Sequence, residues 1–233
     1  LHTEWGEYFT TAFKKVNGVQ IGDTDLSKEI MYDYGKALGK LHSLSAEFVP
    51  KTKKWTHIEV LNWIEVVLSE YNAPNEIVSE LASIKDELTL LPFHKDSYGL
   101  IHYDFEFDNV FYDKETKVCA IIDFDDGMYH WYALDIEQVL DALKEKLSGE
   151  AFLTAEKEFI RGYKEEHSYT QEMETSRPLM QRFINLYGYA RLIRCVAEKF
   201  TDEPEWLVKL RKKLDKSILE KEMRIKHIYT SRG

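Results

Sequence analysis

The fold is decided by the segment Ile101-His102-Tyr103-Asp104-Phe105-Glu106-Phe107-Asp108-Asn109, which is followed fourteen residues after its Asn by Asp123-Phe124-Asp125. Tyr98 to Tyr103 predicts a short strand that enters this segment, and a second strand begins at Asn109. The polar stretch 113–117 predicts a hairpin turn, and the apolar stretch 118–122 predicts a buried strand. The resulting antiparallel hairpin brings Asn109 and Asp123 side by side.

The polar residues of these two segments are of the kinds that phosphoryl transfer requires. A His-x-Asp-x-x-x-x-Asn run beside an Asp-Phe-Asp run is typical of the catalytic and metal loops of kinase-like phosphotransferases. Asp104 is the candidate base, which would take the proton of a substrate hydroxyl. Asn109 and Asp123 are candidate Mg²⁺ ligands, because this hard ion prefers oxygen. We expect His102 to fix the loop through backbone hydrogen bonds.

The two runs together are more specific than either alone. The bare His-x-Asp-x-x-x-x-Asn pattern occurs by chance in roughly one chain in a hundred of this length, and the second run lowers that rate by about a thousandfold. The alternative is that His102 and Asp104 only hydrogen-bond within a turn. In that case Asp123, Asp125 and Asp126 only cap the next element. The combined pattern favours the catalytic interpretation.

On these residues the chain resembles the aminoglycoside phosphotransferase and choline-kinase-like branch of the kinase superfamily. Tyr103 stands where most protein kinases have Arg, as this branch allows. The segment 34–42 resembles a helix with a Leu-His ending early in the C-terminal lobe, and 121–126 with 132–136 resembles the metal loop and the helix that follows it. The resemblance covers roughly residues 8 to 200 and is specific only from 98 to 136.

The resemblance implies an α+β, predominantly helical fold: a protein-kinase-like C-terminal lobe with a short β-hairpin that carries the catalytic and metal loops. It implies ATP and Mg²⁺ as cofactors and a small-molecule hydroxyl as substrate, with aminoglycoside-, choline- and homoserine-like acceptors all open. A non-catalytic, pseudokinase-like binding module is the main alternative. A metal-dependent phosphohydrolase is less favoured, because it needs more His and Asp ligands at suitable spacing.

One departure from the family concerns the N-terminal lobe. The chain has 11 glycines, yet no Gly-x-Gly-x-x-Gly follows a strand, no Val-Ala-Ile-Lys-like strand precedes residue 98, and the first residue is Leu1. We therefore expect an inactive fragment that lacks most of that lobe. Residues 1–18 would be its remnant, with a strand over Tyr8 to Phe13 and a hinge in which Lys14, Lys15 and Val16 contact adenine. Residues 19–233 would form the C-terminal lobe as one compact domain.

The rest of the chain has helical periodicity. Thr56 to Glu59 predicts a capping box, and Pro178 suits the first turn of a helix. The predicted helices span 27–44, from Thr56 to about 71, 75–88 stopped by Pro92, 135–147, 151 to about 163, 178–200, and 204 to about 227.

Composition limits location and partners. At 233 residues and 44% hydrophobic content the chain can bury a sizeable core. It has no apolar run near 18 residues and no visible signal peptide, so we expect no membrane span. Cys119 and Cys195 are predicted to be reduced thiols of a cytoplasmic protein.

The net charge of -10 disfavours a nucleic acid as the partner of this protein. It would suit a cationic acceptor, although many acidic proteins bind none.

Further residues are candidates for supporting roles. Asp125, Asp126 and Trp131 are candidates for the substrate pocket. For the two carboxylates a loop-holding role is favoured over contact with substrate. For Trp131, with its neighbours His130 and Tyr132, a packed aromatic turn is equally possible. Asp135 is expected to be the N-cap of its helix and the tether of the catalytic loop. His42 is expected to be a structural partner of that loop.

Overall fold

The computed structural model describes residues 2–4 and 6–232. Outside the described residues lie Gly233 and two residues of the predicted remnant, Leu1 and Trp5. In chain order the strands are β1 His2–Thr3, β2 Gly6–Glu7, β3 Val19–Gln20, β4 Tyr98–Ile101, β5 Val110–Asp113, β6 Val118–Ile121 and β7 Met128–Trp131. The helices are α1 Lys28–Ser45, α2 His57–Glu70, α3 Asn75–Thr89, α4 Ala133–Lys146, α5 Gly149–Glu166, α6 Gln171–Ala197 and α7 Glu205–Arg232. The described chain is therefore predominantly helical, as the sequence predicts.

The longer strands form two small antiparallel sheets. In the first, β5 lies between β3 and β6. In the second, β4 pairs with β7 in a register that sets Tyr98 opposite Trp131 and Ile101 opposite Met128. The predicted hairpin is thus β5–β6, although Val118 is exposed and β6 is only partly buried. The two sheets carry the loops on which the candidate site is built.

The helices enclose one core around α4 and α6. Helices α1 and α5 pack closely because glycines stand at their contact: a Cβ on Gly35 would collide with the carbonyl of Phe159, and one on Gly162 with that of Tyr32. Helix α3 is fixed to α6 by the buried Arg182, whose guanidinium forms ion pairs with two carboxylates of α3.

Local signals explain several helix ends. Thr56 accepts a hydrogen bond from the backbone of Glu59, and the Glu59 carboxylate accepts one from the backbone of Thr56, so the predicted capping box is present. Helix α6 begins at Gln171 with Thr170 as its capping residue. The prediction that Pro178 lies in the first turn is therefore wrong. The Thr170 cap and the apolar Met173 extend the helix by two turns on the N-terminal side of the proline.

The predicted strand over Tyr8 to Phe13 is not formed. Residues 8–17 have no regular secondary structure, and Phe9 and Phe13 are exposed. A strand needs a hydrogen-bonded neighbour, and β1 pairs instead with β2. The chain then reaches the sheet at Gly18, which has a φ of 94° and lies so close to the backbone of Tyr112 that a side chain would not fit.

Candidate active site

The catalytic loop, residues 102–109, connects the end of β4 to the start of β5. It is anchored by Asp135, which is fully buried in the first turn of α4. The two carboxylate oxygens accept hydrogen bonds from the backbone N–H groups of His102 and Tyr103, both at 2.8 Å. Asp135 therefore tethers the loop as predicted. The prediction that it is the N-cap is wrong, because Tyr132 holds that position and the carboxylate is used by the loop.

A second buried layer supports Asp135. The His42 ring lies 3.1 Å from the Asp135 carboxylate through Nε2 and 2.8 Å from the Tyr163 hydroxyl through Nδ1. Burial lowers the pKa of His42, and the Asp135 carboxylate opposes that shift. His42 thus supports the catalytic loop through its anchor Asp135, and a direct partnership of His42 with the loop stays a prediction.

His102 connects the catalytic loop to the metal loop, residues 122–127. Its Nδ1 accepts a hydrogen bond from the backbone of Asp104 at 3.2 Å. Its Nε2 lies 2.9 Å from the carbonyl of Ile122, to which a neutral ring protonated at Nε2 donates. The predicted backbone hydrogen bonding of His102 is thus present, and both loops are held by one imidazole.

Asp104, Asn109 and Asp123 come together through this framework. The Asn109 side-chain amide donates to the Asp104 carboxylate at 2.7 Å and to the Asp104 carbonyl at 3.0 Å. The backbone of Ile122 donates to the carbonyl of Asn109 at 3.0 Å, so Asp123 follows directly beside it. Asn109 uses its amide nitrogen toward Asp104, which leaves its side-chain oxygen for another ligand. Asp123 is exposed.

The electrostatic surroundings increase the proton affinity of Asp104. Burial raises the pKa of its half-buried carboxyl group, the Asn109 hydrogen bond opposes this shift, and the carboxylates of Asp108 and Asp126 raise the pKa further. A raised pKa strengthens a carboxylate as a base as long as it remains ionised at the working pH.

The remaining sequence candidates are distributed differently. Asp126 forms an ion pair with Arg191 of α6 at 2.9 Å, and Asp125 is exposed, with its carbonyl 3.4 Å from the amine of Lys54. Trp131 is not placed at the loops. It is 5% exposed, its ring packs edge to face on Tyr98 at 5.1 Å, and its indole N–H donates to the carbonyl of Pro92.

The residues predicted as hinge lie in the irregular segment before β3. Lys14 and Lys15 are exposed and Val16 is partly buried. In the described part of the chain no hydrogen bond or ion pair joins these three residues to the catalytic or metal loop. Their contact with adenine stays a prediction.

Sequence reasoning missed two supports of the catalytic loop. Gln138 of α4 donates to the carbonyl of Tyr103 at 2.7 Å, and the buried Tyr34 hydroxyl donates to the carbonyl of Phe105 at 2.6 Å. Gln138 lies three residues after Asp135, on the same face of the helix, so helical spacing could have identified it. Tyr34 carries no comparable signal, because its partner is distant in sequence.

Comparisons with known proteins show the family of this chain. The model of the phosphotransferase enzyme family APH matches residues 3–172. Amicoumacin kinase of Bacillus subtilis (strain 168) is 29% identical over 142 residues, which are 58% of this chain and 40% of that protein. This chain thus spans less than half the length of that curated relative.

Solved structures show the same kinase-like fold. Amicoumacin kinase hAmiN in complex with AMP-PNP, Ca²⁺ and Ami has a TM-score of 0.68 at 21% identity, covering 89% of this chain and 64% of that one. A microcompartment-associated aminopropanol kinase has a TM-score of 0.64 at 16% identity, covering 94% and 68%. Spectinomycin phosphotransferase APH(9)-Ia with ADP and spectinomycin has a TM-score of 0.59 at 16% identity, covering 99% and 76%. On the family match, the chain belongs to the APH phosphotransferase enzyme family.

Proposed function

We propose that the protein of which this chain is part transfers the γ-phosphate of ATP to a hydroxyl of a small molecule, in a Mg²⁺-dependent reaction. The observation that carries the proposal is the 2.7 Å hydrogen bond from the Asn109 amide to the Asp104 carboxylate, at the end of the β5–β6 hairpin where β6 leads into Asp123. The proposal agrees with the relatives, whose names describe kinases of small molecules.

Asp104 acts as the base. One carboxylate oxygen is held by the Asn109 amide, which orients the group toward the acceptor. As the acceptor oxygen forms its bond to the γ-phosphorus, its proton passes to Asp104, and the bond between that phosphorus and the bridging oxygen breaks to release ADP. The loop must be rigid for in-line attack, and Asp135 and His102 supply that rigidity.

Asn109 and Asp123 fit a hard divalent cation. The Asn109 side chain and the exposed Asp123 carboxylate supply oxygen donors, the chemistry that Mg²⁺ prefers, and the backbone hydrogen bond from Ile122 to Asn109 joins the two segments that carry them. When bound, the ion would neutralise charge on the phosphates. Two protein ligands leave most of its coordination positions for phosphate oxygens and water.

The lobe that covers the phosphates is, in this proposal, contributed by sequence outside these 233 residues. The sequence contains no glycine-rich loop or strand lysine of that lobe, and this chain spans 64% of hAmiN. Residues 1–18 would then join that lobe to the domain formed by 19–233, with Lys14, Lys15 and Val16 at the adenine. Asp125 stays a candidate for contact with the acceptor or the metal.

We further propose a cytoplasmic location. Cys119 and Cys195 are both free thiols, as expected in a reducing compartment. Among the described residues, no helix is long and apolar enough to cross a membrane.

The test is ADP release by the full-length protein with ATP, Mg²⁺ and a panel of hydroxylated metabolites and aminoglycosides. Asp104→Asn should lower turnover at least about a hundredfold, because general base catalysis contributes on that order. Asp86→Asn is the matched control, since Asp86 is exposed on α3. Turnover unchanged by Asp104→Asn would remove Asp104 as the base. If the full-length protein turns over none of the panel and binds neither ATP nor Mg²⁺, the non-catalytic alternative is correct.

A further inference from the structure

A cavity of about 610 Å³ lies between α2 and the C-terminal half of α6. Aromatic and cationic side chains form most of its wall: Trp55, Trp63, Tyr71, Tyr187, Arg191 and Arg194. Asp126 of the metal loop also lines it, so the cavity opens beside the candidate site.

The aromatic side of the cavity is continuous with the catalytic loop. The rings of Trp63 and Tyr187 meet edge to face at 5.6 Å, and Tyr187 packs on Tyr103 at 5.0 Å. Tyr103 directly precedes Asp104. Trp55 is held in place by its carbonyl, which accepts a hydrogen bond from the backbone of Tyr129 at 2.7 Å. These ring contacts therefore run without a break from the cavity wall to the residue before the candidate base.

The charges around the cavity balance. Two guanidinium groups face two carboxylates, those of Asp126 and Glu198. Arg191 is paired with Asp126 at 2.9 Å. Arg194 lies over the Trp63 ring at 5.7 Å and has no ion pair among the described residues. The cavity therefore has no excess of carboxylates with which to bind a polycationic acceptor. Arg194, in contrast, can bind an anionic or carbonyl oxygen.

We propose that this cavity holds the acceptor and selects one that carries a flat unsaturated ring and an anionic oxygen in addition to its hydroxyl. The inference rests on the proposed phosphotransferase function and names its substrate class. The ring stacks against Trp63 and Trp55, the oxygen binds Arg194, and the hydroxyl points to Asp104. Asp126, three residues after Asp123, lines the cavity, so the cavity borders the metal loop.

The experiment measures binding to the 233-residue chain by ligand-observed NMR titration, without ATP or metal. The probes are para-(hydroxymethyl)benzoate, its saturated cyclohexane counterpart, benzyl alcohol and kanamycin. We expect the benzoate to bind about tenfold more tightly than the saturated acid, since aromatic contacts of this kind reach that size. Kanamycin is expected to bind most weakly.

Two variants assign the preference to this cavity. Trp63→Leu should abolish the advantage of the benzoate over the saturated acid. Arg194→Gln should weaken binding of the benzoate several-fold while leaving binding of benzyl alcohol unchanged. Trp206→Leu, at a residue that is 66% exposed on α7, is the control and should change neither the advantage of the benzoate over the saturated acid nor the affinity for the benzoate. Circular dichroism of each variant checks that it is folded.

The inference is overturned if none of the probes binds, if kanamycin binds more tightly than the benzoate, or if the saturated acid binds equally well. It is also overturned if the preference survives Trp63→Leu in a folded chain. Because binding is measured without ATP, this failure is separate from failure of the proposed chemistry. The chemistry fails instead if the full-length protein shows the ring preference but never releases ADP.

Discussion

Replacing Asp135 by Asn should destabilise the whole domain, although the side chain keeps its size and shape. Asp135 is fully buried and accepts three hydrogen bonds, from the backbones of His102 and Tyr103 and from the ring of His42. A carboxylate accepts with both oxygens, whereas a carboxamide accepts with only one. One N–H of the catalytic loop must therefore face the new NH₂ group.

The magnitude follows from these contacts. In the better orientation of the new carboxamide, its oxygen accepts from His102 and His42, and the bond to Tyr103 is lost. Losing a hydrogen bond to a charged group costs about 1.5–3 kcal/mol, and a buried unsatisfied N–H costs about 1–3 kcal/mol in desolvation. Relief from burying a charge offsets part of this sum. We expect the free energy of unfolding to fall by about 3 kcal/mol, a large fraction of the roughly 5–15 kcal/mol typical of a domain.

Urea unfolding of the 233-residue chain, followed by circular dichroism, measures this loss. With a slope of about 3 kcal/mol per M, the midpoint should fall by about 1 M. Asp86→Asn makes the same chemical change at an exposed position of α3 and should stay within about 0.5 kcal/mol of the unaltered chain. If the two variants have the same midpoint, Asp135 does not hold the loop in the way the distances indicate.

Two other predictions concern pH and packing. Burial lowers the pKa of His130, whose two ring nitrogens have no hydrogen-bond partner in the described chain. The unfolded state therefore takes up the proton first, so the contribution of His130 to stability should be constant above about pH 6.5 and fall below it. His130→Phe should reduce that fall in urea midpoints measured from pH 8 to pH 5, and an unchanged pH dependence would contradict the assignment. Gly35→Ala should destabilise by about 1–3 kcal/mol despite the better helix propensity of Ala, because its Cβ meets the rigid carbonyl of Phe159. Gly188→Ala meets only the flexible end of Lys221 and should be neutral or stabilising in thermal melts; equal effects of the two would refute the close packing of α1 and α5.

Local patterns in the sequence predicted much of this fold. The Thr56 capping box has its partner three residues away, so its geometry needs nothing from the rest of the protein. The β5–β6 hairpin is also local, and it alone sets Asn109 beside Asp123. Predictions of this kind succeed because the interacting groups are close along the chain.

Predictions that depend on distant partners were less accurate. The segment from Tyr8 to Phe13 has the composition of a strand, but no strand lies beside it in the described chain. Trp131 was placed at the substrate pocket from its position in the chain, whereas the β4–β7 pairing turns it toward Pro92. The aromatic cavity between α2 and α6 gave no sequence signal, because Trp63 and Tyr187 are brought together only by helix packing.

The backbone of the candidate site is strained at two residues, and hydrogen bonds of this chain hold the backbone at or next to each of them. Tyr103 has a φ of 62° and Asp123 a φ of 60°, a left-handed conformation that costs roughly 1–2 kcal/mol for residues other than glycine. The N–H of Tyr103 is bound by Asp135. Ile122, which precedes Asp123, is bound on its N–H by Asn109 and on its carbonyl by His102. The first of these bonds comes from α4 and the other two come from the catalytic loop itself, so the catalytic and metal loops hold each other in this geometry without a bound nucleotide. The reaction therefore does not have to supply the free energy of ordering them.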